Sequence, residues 1–282
     1  MFRNIHIRLA ASRLVRGLAV LANRIPLPYS HWPVTALGCR MTAHTLDRFA
    51  ALWLWRTGRL EQFGVANLDR FCRPGMHAVD VGANVGFYTL QMAKRVGDGG
   101  HVYAFEPDAG NLASLRRNVQ LNGFEKRVEC EGSAVGASAG SVPLYRSASH
   151  HGDHRVFASD GRAPDDTVKM ASLDAYFTAG FAVDLVKIDV QGAELEVLRG
   201  MERVLRENPR CVLLLEINSA ANMPSGSSPG DVIDVLASSG FHVAAADGVA
   251  AEGALSKQSI LSELDRRPYV DVVAVHESRS DD

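Results

Sequence analysis

Four acidic residues stand where apolar runs end: Asp80 in HAVDVG, Glu106 in HVYAFEP, Asp189 in VKIDV and Glu216 in LLLEI. A carboxylate in such a place can accept hydrogen bonds from sugar hydroxyls, take a proton from a nucleophile, or ligate a hard cation. The turn after Asp80, within VDVGANVGFYTL, narrows the choice. Gly82 and Gly86 let a ligand approach bare backbone, and Asn84 between them tolerates a left-handed conformation better than most residues. A dinucleotide fingerprint would need glycine at 84 and 87, where Asn84 and Phe87 stand, and a Walker loop would need a Gly-Lys-Ser/Thr that is missing here. A turn of form D-x-G-x-N-x-G suits a nucleoside without a pyrophosphate. Glu106, 24 residues past Gly82, is then placed to accept both ribose hydroxyls.

Only a parallel sheet brings such tips together, and from residue 75 the chain alternates strand-like and helix-like segments. HAVDVG is followed by a helix from Phe87 to Val96 that GDGG closes. HVYAFEP is followed by a helix over 109–122, with Leu112, Leu115 and Val119 on one face and a stop at Asn122-Gly123. VECEGSAV is the third strand. Residues 137–170 break the alternation and predict strand pairs and loops, including the polar SASHHGDHR. VDLVKIDV resumes as strand four, a helix opens after Gly192, and CVLLLEI is strand five. A helix from Asp231 to about Ser239 precedes two last strands, FHVAAAD and YVDVVAVHE, the final one antiparallel. Ligands bind such sheets outside the carboxyl ends of the strands, where strand order reverses, so Asp80, Gly82, Glu106, Asp189, Glu216 and Asn218 are expected to converge on one cleft.

The chain divides into a helical extension over 1–60 and a catalytic domain over 61–282. Residues 1–46 hold six arginines and no acid, and Ile7, Ala10, Leu14, Leu18, Leu21 and Ile25 make an amphipathic stripe that Pro26 and Pro28 end. Residues 1–25 are thus a basic helix suited to packing on the domain or a partner, with peripheral membrane contact as the alternative. Trp53 and Trp55 belong to a second helical stretch. No run is apolar for the ~20 residues a membrane span needs. The 282 residues, 46% hydrophobic and 22% charged, can bury a substantial core. The body that follows the basic arm is acidic, which disfavours a nucleic-acid partner. Four cysteines without a C-x-x-C pair indicate neither a zinc site nor a disulfide framework, as expected of a cytoplasmic protein.

Five ordered motifs carry a resemblance: PGMHAVDVGANVGFYTL, VYAFEPDAGNLASLRRN, SAVG, ASLDAYF, and VKIDVQGAELEVLRGM followed by LLLEI. From residue 75 to about 218 the chain resembles the FkbM family of S-adenosylmethionine-dependent methyltransferases. The resemblance implies an α/β, Rossmann-like class I methyltransferase fold, with a seven-stranded, mainly parallel sheet and helices on both faces. It implies O-methylation of a hydroxyl on a small molecule, sugar or glycan. It also implies that Asp80, Gly82, Ala83, Asn84 and Gly86 line the methionine end of the donor, that Glu106 holds the ribose, and that Ser133 and Ala134 sit beside the adenine. Gln191 stands where many members carry Glu.

Methyl transfer to an alcohol gains from a base near the acceptor proton. Asp189 is the first choice and Glu194, in the first turn of the next helix, the second carboxylate. Against these stand structural roles: Asp189 capping the amides of 192–194, and Glu194 stabilising its own helix N-terminus. Asp189, Glu216 and Asn218 offer three oxygen ligands, so Mg²⁺ is an alternative, though not the favoured one. His150, His151 and His154 belong to a polar loop at the cleft mouth and could also furnish a base or a metal site. Tyr88 either packs in the core or touches the donor. Asp174 is expected to cap a short helix, and Lys187 either to form a buried ion pair or to snorkel at the sheet edge. An N-methyltransferase of nucleic acid or protein fits less well, because DVQG replaces the Asp/Asn-Pro-Pro-aromatic of nucleobase enzymes. A donor-binding module without catalysis, associated with a membrane through the basic arm, is the remaining alternative.

Overall fold

A computed structural model describes residues 31–44, 62–147, 154–158, 162–220, 223–224, 226–245 and 255–277. Strands β1 (His31–Ala36) and β2 (Cys39–His44) pair as an antiparallel hairpin. After helix α1 (Gln62–Phe71) come β3 (His77–Val81), α2 (Phe87–Val96), β4 (His101–Phe105), α3 (Ala109–Leu121) and β5 (Val128–Glu131). The short β6 (Ala134–Val135), β7 (Gly140–Leu144) and β8 (Asp166–Ala171) form a separate three-stranded sheet. The chain continues through α4 (Leu173–Tyr176), β9 (Leu185–Ile188), α5 (Glu194–Arg199), α6 (Glu202–Glu207) and β10 (Val212–Asn218). It closes with α7 (Pro229–Ser238), β11 (Phe241–Ala245), α8 (Lys257–Leu264) and β12 (Tyr269–His276).

The main sheet runs β11-β12-β10-β9-β3-β4-β5, parallel except for β12, which is antiparallel to both neighbours. Strand order reverses between β3 and β9, and that reversal sets the cleft. All four residues of β9 are buried, as a strand covered on both faces requires. Period-two alternation splits the core. Val79, Val81, Val186 and Ile188 pack on one face, while Ala78, Leu185 and Leu214 pack with α1, α2 and α3 on the other. Asp80 and Lys187 share this second face and stand directly opposite one another on β3 and β9.

Several expectations change. Within the segment 1–60, expected to be helical, residues 31–44 are a hairpin; the stripe of residues 1–25 and Trp53 and Trp55 lie outside the described residues. The hairpin is held by buried Asn118 of α3, whose Oδ1 accepts from the Thr42 amide at 2.7 Å while its Nδ2 donates to the Val85 carbonyl at 2.7 Å. VECEGSAV is not one strand: β5 belongs to the main sheet and β6 to the small one, with Gly132 and Ser133 between them. The helix after Gly192 is broken into α5 and α6 at Gly200, where a Cβ would lie 2.0 Å from the Gly136 carbonyl oxygen, so backbone approaches backbone. Asp174 caps a helix other than its own: Ser172 caps α4, and the Asp174 carboxylate accepts from the Arg203 and Val204 amides at the start of α6. Helix α8 has no counterpart among the sequence expectations.

Candidate active site

The turn from Gly82 to Gly86 joins β3 to α2 through three left-handed residues, Gly82 (φ 79°), Asn84 (φ 51°) and Gly86 (φ 95°). Gly82 and Ala83 amides donate to the Phe105 carbonyl, which pins the turn to β4. A Cβ on Gly82 would sit 1.9 Å from the Asp189 carbonyl oxygen, so the tips of β3 and β9 touch only because this position lacks a side chain. Helix α2 then begins without a side-chain cap, leaving the N-terminal end of its dipole directed at the cleft.

Glu106 is 5% exposed at the tip of β4. Its two carboxylate oxygens accept from the backbone amides of Asn84 (2.8 Å) and Asp108 (2.9 Å), one each, so the side chain is fixed while lone pairs remain for a ligand. Burial pushes its pKa up to about 7, against the downward pull of those amide bonds. Beside it, Asp108 caps α3 and accepts from Arg146 Nε at 2.6 Å. Burial would raise Asp108, but the Arg146 and Asn111 hydrogen bonds prevail and hold it below the ordinary carboxylate range.

The β9 and β10 tips carry a chain of acids joined by amides and one ammonium. Lys187, 7% exposed, places Nζ 3.1 Å from Asp189 Oδ2 and 3.7 Å from Asp80 Oδ1, and 4.6 Å from the centre of the Tyr88 ring. Of the two roles expected of Lys187, this is the buried ion pair and not the snorkelling side chain. Gln191 Nε2 donates to both Asp189 Oδ1 (2.7 Å) and Glu216 Oε1 (3.1 Å). An amide here joins two carboxylates; a third carboxylate would repel both. Gln191 adopts φ 55°, a strained conformation costing about 1 kcal/mol for a residue with a side chain. Asn218 Nδ2 donates to Glu216 Oε1 (3.2 Å) and Glu194 Oε1 (3.1 Å). Glu194, not Asp189, meets the Gly192 amide (2.8 Å), so the capping role considered for Asp189 falls to its neighbour. Burial pushes the Glu194 pKa up to about 7, despite hydrogen bonds from the Gly192 and Glu194 amides and Asn218, and its Oε2 has no hydrogen-bond partner among the described residues.

Two pockets meet at this chain. The first, about 150 Å³, has Gly82, Ala83, Asn84, Glu106, Ser133 and Ala134 in its wall, six of the eight residues expected around the donor. Asp80 and Gly86 stand behind the wall: Asp80 is fully buried and accepts from Thr89 Oγ1 at 2.6 Å. The second pocket, about 40 Å³, lies toward α1 and β12 and shares Tyr88, Lys187 and Asp189 with the first. Asp189 thus faces both, while Glu194 lines neither and is 0% exposed. Of the expected histidines, His154 lines the first pocket and accepts the Ser147 amide at 3.1 Å; His150 and His151 lie outside the described residues. Sequence reasoning missed Asn111, Leu144 and Val156 in the first wall and Asn67 and Asp271 in the second. Asn67 and Asn111 belong to helices and Leu144 and Asp271 to strands, where periodicity hides them, and Val156 lies in a loop with no pattern of its own. Among the described residues, no group of three or more His, Cys, Asp and Glu side chains is arranged to hold a metal ion, and Asp189, Glu216 and Asn218 are engaged with one another through Gln191.

This strand order, with the last strand inserted antiparallel and the cleft at the β3/β9 reversal, defines a Rossmann-like class I methyltransferase fold. The family described as Methyltransferase FkbM domain matches residues 80–243, and the chain belongs to that family. Among curated relatives, Methyltransferase 1 of Beauveria bassiana (strain ARSEF 2860) is 28% identical over 145 residues, covering 44% of this chain and 57% of that protein. Methyltransferase sdnD of Sordaria araneosa is 28% identical over 195 residues, covering 58% and 73%. Solved structures with similar folds include a putative O-methyltransferase from Klebsiella pneumoniae (15% identity, TM-score 0.44, covering 93% of this chain and 96% of that one). A SAM dependent methyltransferase from Aquifex aeolicus is 18% identical with a TM-score of 0.40, covering 71% and 88%.

The family's methyl donor is S-adenosylmethionine, and two features of the first pocket fit it. Asn84 Oδ1 is buried without a hydrogen-bond partner among the described residues, an acceptor waiting for a donor such as an ammonium. The space over Gly82 exists only for want of a Cβ. Glu106 would hold the ribose, and Ser133 and Ala134 the base.

Proposed function

We propose that this chain methylates a hydroxyl oxygen of a small molecule, sugar or glycan by in-line transfer, with Asp189 taking the hydroxyl proton. The observation that carries the reading is the place of Asp189 in the wall shared by the two pockets. Bound S-adenosylmethionine supplies a methyl carbon attached to a positively charged sulfur, so alignment is the main demand of the reaction. Glu106 and the 82–86 turn answer that demand by fixing the donor. A neutral alcohol is a weak nucleophile, and a positioned base contributes about 10²- to 10⁴-fold. Lys187 and Gln191 each bind one oxygen of Asp189, which orients the carboxylate. Glu194 serves as a second carboxylate from behind, holding Gly192 and Asn218 so that Glu216 and Gln191 keep Asp189 in place. No metal is needed for this sequence of events.

No helix of the described residues is long and apolar enough to cross a membrane. A cytoplasmic setting agrees with Cys39, Cys72, Cys130 and Cys211 forming no disulfide, and peripheral membrane contact through residues 1–25 remains part of the proposal.

Comparing Glu106→Ala with Asp189→Ala tests the assignment. Calorimetry should show the first weakening S-adenosylmethionine binding by about 10²-fold, the scale of lost charge-assisted hydrogen bonds. The second should leave that affinity within about threefold and slow transfer of tritiated methyl to hydroxylated acceptors by about 10²-fold. Equal loss of donor binding in both variants would remove Asp189 as base. NADH should not bind at all.

A further inference from the structure

We propose that Asn118 is a positioning residue for the donor: it ties the β1–β2 hairpin to the 82–86 turn, so that hairpin docking and donor binding reinforce one another. The proposal rests on the donor reading of the first pocket. Asn118 is fully buried in α3, and its side-chain amide bonds in two directions. On one side Nδ2 donates to the Val85 carbonyl at 2.7 Å. Val85 lines the first pocket between the left-handed Asn84 and Gly86. The Val85 carbonyl and the Gly86 amide belong to one peptide plane, and that amide donates to the Ala83 carbonyl at 2.9 Å. Both ends of the plane are thus held. Leu115, one turn earlier on α3, closes over the same spot, with its Cδ1 2.6 Å from where a Cβ on Gly86 would lie.

On the other side Asn118 meets β2. Its Oδ1 accepts from the Thr42 amide at 2.7 Å and from Thr42 Oγ1 at 3.1 Å, and its Nδ2 donates to the Thr42 carbonyl at 3.3 Å. Thr42 stands opposite Pro33, which has no N–H to pair with it, and directs its backbone groups to α3 instead. Asn122, one turn further along, repeats the arrangement with Arg40: Oδ1 accepts from the amide at 2.8 Å and Nδ2 donates to the carbonyl at 2.6 Å. Two asparagines four residues apart on one helix face therefore offer alternate residues of β2 the acceptor and donor that a neighbouring strand would. The apolar side of the hairpin, Ala36, Cys39 and Met41, is buried in the same core as Leu90 and Leu115, so packing already docks it. A buried amide is costly unless its bonds are made, and what it adds to packing is direction. Asn118 divides its bonds between hairpin and turn. Residues 31–44 lie outside the family-matched 80–243 and line neither pocket, yet they reach the donor turn through this side chain.

Residue-resolved amide hydrogen exchange on the full chain, with and without saturating S-adenosylhomocysteine, tests this, because coupled sites must stabilise one another reciprocally. In the unmutated protein the Thr42 amide should exchange at least about fivefold more slowly with ligand bound. Asn118→Ala should lower S-adenosylhomocysteine affinity about tenfold by calorimetry and abolish that ligand-dependent protection. Asn118→Asp keeps the acceptor for the Thr42 amide and loses the donor to Val85, so its affinity should fall as far. Asn122→Ala breaks the Arg40 bonds and leaves Val85 bonded, so affinity should stay within about twofold and Thr42 should keep its protection. Ligand binding that leaves Thr42 exchange in the unmutated chain unchanged overturns the proposal while the donor reading stands, and this arm needs no variant to fold. Equal affinity in Asn118→Ala and Asn122→Ala overturns it as well. Failure of S-adenosylhomocysteine to bind the unmutated chain overturns the donor reading and this proposal with it.

Discussion

The two pockets are built from different kinds of chain. Every residue lining the first lies between Val81 and Ala193, inside the family-matched segment, and its shape comes mostly from backbone: three left-handed residues, a missing Cβ and two amides on one carboxylate. The second draws on α1 and β12, far apart in sequence and outside that segment, and its character comes from side-chain charge. Backbone geometry suits a ligand that stays the same across a family. Side chains from peripheral elements suit one that varies.

The comparison predicts unequal consequences, and the largest comes at the seam. Gly82→Ala would drive a Cβ into the Asp189 carbonyl and strain a residue at φ 79°, pushing the two strand tips apart. We expect a loss of about 3 kcal/mol in stability, seen as a lowered Tm, together with disappearance of the donor binding heat. A well-folded Gly82→Ala variant with full donor affinity would show that the first pocket does not depend on backbone contact with the second.

A smaller effect separates the regions by pH. With its pKa raised to about 7, Glu106 loses its charge as pH falls, so donor affinity should drop about tenfold between pH 8 and pH 6. Glu106→Gln should flatten that slope and Glu194→Gln should not. Stability of the ligand-free protein runs the other way. Both carboxyls are raised from 4.5 to about 7, so between those values the folded chain holds more protons than the unfolded one, and stability declines as pH rises through that window. Urea unfolding at pH 5 and pH 7 would show it, and a rise in stability contributed by these groups would contradict the burial of either.

The smallest effect belongs to Glu194 itself. Gln retains the Oε1 that accepts from Gly192 and Asn218 and alters only Oε2, so Glu194→Gln should leave donor affinity within about threefold and lower kcat by less than about tenfold. A fall of about 10²-fold would promote Glu194 from a supporting carboxylate to a proton carrier.

Much of the first pocket was legible because its determinants are local. D-x-G-x-N-x-G places its own turn, and a carboxylate ending an apolar run must lie at a strand tip. Asn84 was expected to tolerate a left-handed conformation and does adopt one. The pocket-wall places of Asp80, Gly86 and Glu194 were not legible, since facing a ligand and standing just behind one look alike in one dimension. Nor was the exchange of capping duties, in which Asp174 serves α6 and Glu194 meets the Gly192 amide, because each pairing depends on where a separate element docks.

By itself the sequence determined most strands and helices from residue 75 onward, though not the split of VECEGSAV, the break at Gly200 or α8, together with the 82–86 turn and the acids ending the apolar runs, because apolar periodicity and glycine placement act over a few residues at a time. Only the tertiary structure decided that Lys187 lies between Asp80 and Asp189, that Gln191 joins Asp189 to Glu216, and that Asn67 and Asp271 close a second pocket against Tyr88. Those relations are set by register between strands and by the docking of α1, and they arise only when residues distant in sequence are packed on one face of the sheet.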